Sequence, residues 1–273
     1  MELVVFDLDG TLLGADHRIS DFTADTLKRL TANNIAYTVA TGRNLHSAQE
    51  IIRGHGFLLP HIYINGVIVW DPGSESLSLA NFLSNDEAEH VIRAAIAENV
   101  TPFVHCVTED HRHFIYHPPV QHEFEQRLVD MFFSRLVSNV LPLQQMPAKS
   151  QITNISMLGT NPTISAIELN ISDEAHLVAY SGMAMENKNL KWMDIHHSQA
   201  SKGNALKQLG TRLGASRILC FGDSDNDLSM FAMADEAYAP ANAKDVVKAA
   251  STSVIGHHDE NGIAVFLRER FNL

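Results

Sequence analysis

Near the start of the chain an apolar run, Leu3, Val4, Val5 and Phe6, stops on Asp7, and Leu8, Asp9, Gly10 and Thr11 follow at once in the segment MELVVFDLDGTLLG. The run reads as a buried strand. A carboxylate at its end is costly unless a cation or dense hydrogen bonding offsets the desolvation. A second carboxylate two positions on adds repulsion within the same small volume. Either the strand ends in a solvated turn, or the acidic pair is built around a cation.

The surrounding pattern says what kind of fold carries this segment. Strands are expected at residues 3–6, 36–40, 62–64 and 218–221. Helices are expected at 22–30, behind the capping candidates Ser20 and Asp21, and at 45–53, 202–213 and about 228–234. Runs at 67–70 and 77–83 suggest a hairpin around Asp71-Pro72-Gly73. This alternation predicts an α/β fold, a Rossmann-like, mainly parallel sheet covered on both faces.

The middle of the chain reads differently. Ser84 and Glu87 form a capping-box pattern ahead of a helix at 88–96. Strands follow at 103–108 and 113–116, a helix at 124–136, a strand at 152–158, a helix at 163–169, and strands near 177–180 and 190–195. That order is α+β with antiparallel strands. The expected organisation is a core made of residues 1–83 and 190–273, interrupted by a second unit at 84–189.

Charge narrows the partners. With 32 acidic against 20 basic residues and a formal net charge of -12, the chain is a poor match for nucleic acid or an anionic membrane. One small phosphorylated ligand in a local site remains compatible. No stretch approaches the roughly 20 apolar residues of a membrane span, and no basic-then-apolar leader is visible. The two cysteines, Cys106 and Cys220, have no metal-like spacing, so a reducing, cytoplasmic setting is expected, with Cys220 buried in RILCF.

Four polar clusters recur where an apolar run stops or a helix begins: Asp7, Asp9, Gly10 and Thr11; Thr41, Gly42 and Arg43; Lys202 and Gly203; and Gly222, Asp223, Asp225, Asn226 and Asp227. In open parallel sheets, ligands bind beyond the carboxyl ends of the strands, so clusters distant in sequence can meet there. The set suits phosphoryl transfer, which needs a cation between an attacking carboxylate and an anionic phosphate, donors on the equatorial oxygens, and an acid for the leaving oxygen. Asp7, Asp9 and Asp223 are candidates to hold Mg²⁺. The Thr41 hydroxyl and backbone N–H groups at a helix start suit phosphate, and Lys202 would neutralise its charge. Asp225 reads as solvated or capping, and Arg43 as a structural neighbour.

The segments DLDGTLL, ATGR, SKGNAL and FGDSDND, in this order and spacing, resemble the four motifs of the haloacid dehalogenase superfamily of phosphatases. The insert between the second and third motifs, and the tail ANAKDVVKAAS…HHDENGIAVFL, resemble its Cof-like branch with a large α/β cap that sets substrate specificity. The resemblance implies Asp7 as a nucleophile forming a phosphoaspartate and Asp9 as general acid and base. It implies Mg²⁺ bound by Asp7, the Asp9 carbonyl oxygen and Asp223, with Asp227 supporting the metal. Phosphate would be held by Thr41, Gly42, Lys202 and Asn226, and Asn65-Gly66 matches a family turn near the substrate. Two departures, Ala241-Asn242-Ala243 for Gly-Asn-Ala and Asn65-Gly66-Val67 for Asn-Gly-Ala, leave this set intact.

The implied activity is a Mg²⁺-dependent phosphatase for a small phosphorylated metabolite: a sugar phosphate, a phosphorylated vitamin or a nucleotide-derived ester. Two alternatives are a sugar phosphomutase and a phosphorylation-controlled switch without turnover. The 15 histidines, among them His105, His111, His113, His117, His196-His197 and His257-His258, show no HExxH spacing. They read as surface or cap-lining residues rather than a zinc site.

Overall fold

The computed structural model describes residues 1–108, 112–133, 139–184 and 187–273. They form two compact units: Met1–Ala80 together with Ala200–Leu273, and Asn81–Gln199. The first unit opens with strands β1 (Glu2–Phe6), β2 (Ala36–Val39), β3 (His61–Tyr63), β4 (Ile68–Asp71) and β5 (Ser76–Leu79). The second contains β6 (Phe103–Val107), β7 (His113–His117), β8 (Val140–Pro142), β9 (Gln151–Thr160), β10 (Leu177–Met183) and β11 (Leu190–His197). The chain then returns to the first unit with β12 (Arg217–Phe221), β13 (Glu236–Pro240) and β14 (Ser253–Ile255).

Among the described residues the main sheet of the first unit runs β14-β13-β12-β1-β2, all parallel. Leu3, Val4, Val5 and Phe6 are fully buried, as expected of a central parallel strand covered on both faces. Register places Phe6 beside Phe221 and Val39, so Asp7, Gly222 and Ala40 leave the sheet side by side. Helix Asp21–Ala32 starts where expected, with the Ser20 hydroxyl accepting from Thr23 N at 3.1 Å. Helix Lys202–Leu213 is capped by Ser201 and ends at Gly214, φ 64°.

One expected strand behaves differently. Residues 62–64 do not add a full strand to the parallel sheet. Only an Ala40–Ile62 bridge links them to it, and β3, β4 and β5 form a separate antiparallel sheet. The chain leaves β3 through three left-handed residues, Ile64 at φ 46°, Asn65 at 51° and Gly66 at 103°. Such a conformation is strained for β-branched Ile64. A Cβ on Gly66 would stand 2.4 Å from the Ser201 carbonyl oxygen, so this turn needs glycine to lie against the start of helix Lys202–Leu213.

The second unit is a mixed sheet, β10-β11-β9-β6-β7-β8. Helices Asn85–Ala97 and Asn161–Ile171 bury Val91, Ala95, Ile164 and Ile167 in one core with Val104, Ile155, Met193 and Ile195 of the sheet. The join at 189/190 expected from the sequence is corrected here. Strand β11 pairs antiparallel with both β9 and β10, so 190–197 belongs to this sheet and not to the parallel one. The helix expected at 124–136 is Glu123–Leu128 followed by a π turn at Val129–Phe133, and residues 134–136 lie outside the described residues.

Of the expectation that the histidines are surface or cap-lining, the surface half needs correction. His61, His105, His113 and His196 are all buried, at 4%, 6%, 7% and 0% exposure, while His111 lies outside the described residues. Burial pushes His61 down to about 4, and burial with the neighbouring His113 pushes His105 well below the usual range. Each is therefore neutral in the folded chain where an unfolded histidine takes up a proton. Stability from such a group is complete above pH 6.5 and is lost as pH falls from there through the folded value. For His61 this amounts to about 3 kcal/mol between pH 6.5 and 4. Urea unfolding at pH 7.5 and 5.0 should show wild type losing stability on acidification more steeply than His61→Leu. Equal slopes would contradict it.

Candidate active site

Asp7 follows directly on β1 and is 6% exposed. Its backbone N–H still donates to Phe221 O at 2.9 Å, so the carboxyl is fixed to the end of the parallel sheet. Lys202, in the first turn of helix Lys202–Leu213, is fully buried. Its Nζ donates to Asp7 Oδ1 at 2.6 Å and to Asp227 Oδ1 at 2.7 Å. Asp227 is fully buried too, and its Oδ2 accepts from Asp223 N at 2.9 Å and Ser224 N at 3.0 Å. Both Asp227 oxygens are thus engaged in shaping the turn after β12 and in orienting Lys202.

Asp223 closes the cluster. Its Oδ1 accepts from Thr11 Oγ1 at 3.1 Å and its Oδ2 from Ser224 Oγ at 3.2 Å. Carboxyl oxygens of Asp7, Asp223 and Asp227 lie within 4.8 Å of one another. Gly10, at φ 71°, passes so close that a Cβ there would be 2.6 Å from Asp223 Oδ2. Asn242 fastens this turn by donating from Nδ2 to Gly10 O at 2.7 Å.

The cluster is short of positive charge: three carboxylates lie together, and the Lys202 ammonium bonds two of them. Burial raises Asp7 well above the carboxylate range, against the pull of Lys202 and with repulsion from Asp227 and Asp223 added. Asp223 is pushed up to about 6, by burial first and by Asp227 next. Burial works to lower Lys202, but Asp227 and Asp7 outweigh it and hold the ammonium above its usual range. Oxygen donors, excess negative charge and a close-packed glycine turn make a site that fits Mg²⁺.

Asp9 sits differently from Asp7. Arg43 grips its carboxylate with both ends of the fork, Nε to Oδ2 at 2.6 Å and Nη2 to Oδ1 at 2.5 Å. His17 Nδ1 is 3.1 Å from Oδ1. Burial would raise Asp9, but these partners prevail and hold it below the usual carboxylate range. The side chain that resembles an acid–base group is therefore kept ionised in this arrangement. Arg43, read from sequence as a structural neighbour, is its main partner. His17, at φ 57° in the loop after the first motif, was not singled out at all.

The second motif supplies donors beside this cluster. Thr41 is 1% exposed, and its Oγ1 accepts from Arg43 N at 3.1 Å, which leaves the hydroxyl proton to donate elsewhere. Asn226 Nδ2 donates to Asn65 Oδ1 at 2.9 Å, and both amides converge over Gly42, where a Cβ would be 3.3 Å from Asn65 Oδ1. Asn226 Oδ1 is buried and has no hydrogen-bond partner among the described residues. The strained turn at Ile64 and Asn65 is what delivers the Asn65 amide here. Asp225 is exposed and pairs with Lys244, away from the cluster.

The sequence profile of haloacid dehalogenase-like hydrolases matches residues 4–267. Among curated proteins, the chain is 27% identical to the 5-amino-6-(5-phospho-D-ribitylamino)uracil phosphatase YitU of Bacillus subtilis, over 99% of this chain and 98% of that one. It is 28% identical to the HMP-PP phosphatase of Serratia proteamaculans, over 97% and 94% of the two chains. Its fold is similar to that of a solved haloacid dehalogenase-like hydrolase from B. subtilis, with a TM-score of 0.78 at 23% identity over 98% and 99% of the chains. The chain belongs to the haloacid dehalogenase-like hydrolase family, and within it is a phosphoric monoester hydrolase.

Proposed function

We propose that the chain hydrolyses a small phosphorylated metabolite through a phosphoaspartate on Asp7, with Mg²⁺ held by Asp7, the Asp9 carbonyl oxygen and Asp223. The observation that carries this reading is the gathering of the Asp7, Asp223 and Asp227 carboxylates at the end of a parallel sheet, with the Lys202 ammonium bonded to two of them, Asp7 and Asp227. A bound divalent cation would supply the missing positive charge and screen the nucleophile from the phosphate it attacks. The chain's own groups do the rest. Lys202 fixes Asp7 Oδ1, so Oδ2, which accepts no hydrogen bond among the described residues, is the oxygen that attacks. The Thr41 hydroxyl and the Asn226 amide donate to the phosphoryl oxygens, and Gly42 lets those oxygens approach closely. Asp227 acts through its hold on Lys202 and on the 222–224 turn.

Asp9 hands a proton to the leaving oxygen and then takes one from water. The Arg43 grip fits the second half of that cycle, since it keeps Asp9 ionised, and for the first half the carboxyl must come away from Arg43. The unit Asn81–Gln199 is proposed to select the substrate. The relatives are named for a phosphoribitylamino-uracil and for HMP-PP, which supports a small phosphorylated metabolite as the substrate class. Cys106 and Cys220 are both free and buried, which suits the cytoplasm, and no described helix is long and apolar enough to cross a membrane.

A phosphate-release screen over phosphorylated metabolites tests the reading. Free phosphate should appear with Mg²⁺, vanish with a chelator and return when Mg²⁺ is restored. An isomerised sugar phosphate without free phosphate would mean a mutase. A stable phosphoprotein without turnover would mean a switch. Restoration by Zn²⁺ but not Mg²⁺ would overturn the proposed ligand set.

A further inference from the structure

The tail that follows β14 carries a second group of ligating side chains, apart from the catalytic cluster. His257, His258 and Asp259 each offer one ligand atom, and the three atoms lie within 4.8 Å of one another. In a strand, adjacent histidines would face opposite ways. Here they sit in the turn between β14 and helix Gly262–Phe271, where their ring centroids stand 4.8 Å apart at 33°. The missing HExxH spacing does not bear on this pair, since that pattern places its ligands on a helix.

Hydrogen bonds aim two of these groups at each other. His258 Nδ1 lies 2.7 Å from Leu13 O, and only an N–H there can make that bond. In the neutral ring Nε2 is then a lone pair, and it faces Asp259 Oδ2 at 3.6 Å. The other oxygen, Asp259 Oδ1, accepts from Ala15 N at 2.6 Å, which fixes the carboxylate in this orientation. Two acceptors this close repel unless a proton or a cation comes between them. Two ligands of one Zn²⁺, each at about 2.0–2.2 Å, stand about 3–4 Å apart, so the spacing is already that of a metal site. A cavity of about 310 Å³, bordered by Gly14, Asp16, His258 and Asp259, gives an ion and its waters access.

We infer that His257, His258 and Asp259 bind a second divalent cation, of the Zn²⁺ class, which fastens the tail to the loop after the first motif. Two imidazoles and one carboxylate suit Zn²⁺, Co²⁺ or Ni²⁺, whereas Mg²⁺ suits the all-oxygen cluster at Asp7. Leu13 O and Ala15 N are the points at which the loop is held. The hold continues inward. His258 N donates to Asn242 Oδ1 at 3.2 Å, and Asn242 Nδ2 donates to Gly10 O at 2.7 Å, in the turn that presses on Asp223. The inference does not depend on the phosphatase reading.

The test titrates Zn²⁺ into the full chain by calorimetry with Mg²⁺ saturating, and repeats the titration on His257→Gln, Asp259→Asn and Asp223→Asn. Wild type should bind one Zn²⁺ that Mg²⁺ does not displace, and its Tm should rise with Zn²⁺. Losing a residue that merely orients a ligand typically costs about 10–100-fold in metal affinity, so His257→Gln and Asp259→Asn should each weaken Zn²⁺ binding by at least that much. Both keep the His258–Leu13 bond, and thermal unfolding in chelator checks that they are folded. Asp223→Asn, which alters the catalytic cluster instead, should bind Zn²⁺ as wild type does. Binding as tight in the two tail variants as in wild type overturns the inference, and its loss in Asp223→Asn would put the ion in the catalytic cluster. A wild type that takes up no Zn²⁺ in the presence of Mg²⁺ also overturns it, a result that needs no variant to fold.

Discussion

Asp7→Asn should abolish turnover, by on the order of 10⁴-fold or more in kcat, while the protein stays folded. The amide cannot attack phosphorus, and the shape of the side chain is otherwise kept. Stability should hold or rise when Mg²⁺ is absent. Burial and the carboxylates of Asp227 and Asp223 outweigh the attraction of Lys202, so the folded chain favours a neutral group at this position. Catalysis and stability are opposed at this residue. The check is kcat on p-nitrophenyl phosphate together with thermal unfolding in chelator. Activity above a tenth of wild type would contradict the covalent role, and a large loss of Tm would contradict the charge argument.

The second large effect belongs to Lys202. Lys202→Met keeps the length of the side chain but removes the ammonium that bonds both Asp7 and Asp227, leaving the buried Asp227 carboxylate without its charged partner. Removing one partner of a buried pair typically costs about 3–5 kcal/mol. A divalent cation can restore part of the missing charge, so Mg²⁺ should raise the Tm of the variant more than that of wild type. Activity should still fall by about 10²–10³-fold at saturating Mg²⁺, the usual effect of deleting one charged donor from a preorganised site. Unfolding with and without Mg²⁺, combined with kcat, separates the two losses. A variant with wild-type stability in chelator would mean that Lys202 does not balance this cluster.

Much of the site could be read from the sequence because its residues sit in short linear segments that end strands or begin helices. Asp7 after β1, Thr41 after β2, Lys202 at a helix start and Asp223 after β12 are each marked by an apolar run stopping on a polar residue. Parallel pairing then brings the segments together. What escaped the sequence depends on chain reversals and distant contacts. His17 reaches Asp9 through a left-handed turn, and Arg43 grips Asp9 across 34 positions. Thr11 meets Asp223, and Asn242 meets Gly10, across more than 200 positions. No local periodicity encodes these pairs.

The fold divides in a similar way. Continuous apolar runs announced the central parallel strands, whereas the boundary drawn at 189/190 cut off the strand 190–195 from the antiparallel unit in whose order it had been read, and its pairing with β9 and β10 places it there. The buried histidines had the composition of a surface. Hydrogen bonds such as His61 to the Tyr63 hydroxyl at 2.8 Å and His105 to the Ser156 hydroxyl at 2.7 Å are what let them lie inside.

The central claim is that Asp7 carries the phosphoryl group, and trapping it is the direct measurement. Asp9→Asn should still form the phosphoenzyme from p-nitrophenyl phosphate, whose leaving group needs little protonation, but should hydrolyse it slowly for want of a base, an effect of about 10²–10⁴-fold. With metal content first verified, a rapid acid quench followed by intact mass and peptide mapping should show a burst of p-nitrophenol and one phosphoryl group on the peptide containing Asp7. Phosphoryl on another residue, or no burst and no phosphoenzyme while turnover continues, would contradict the account.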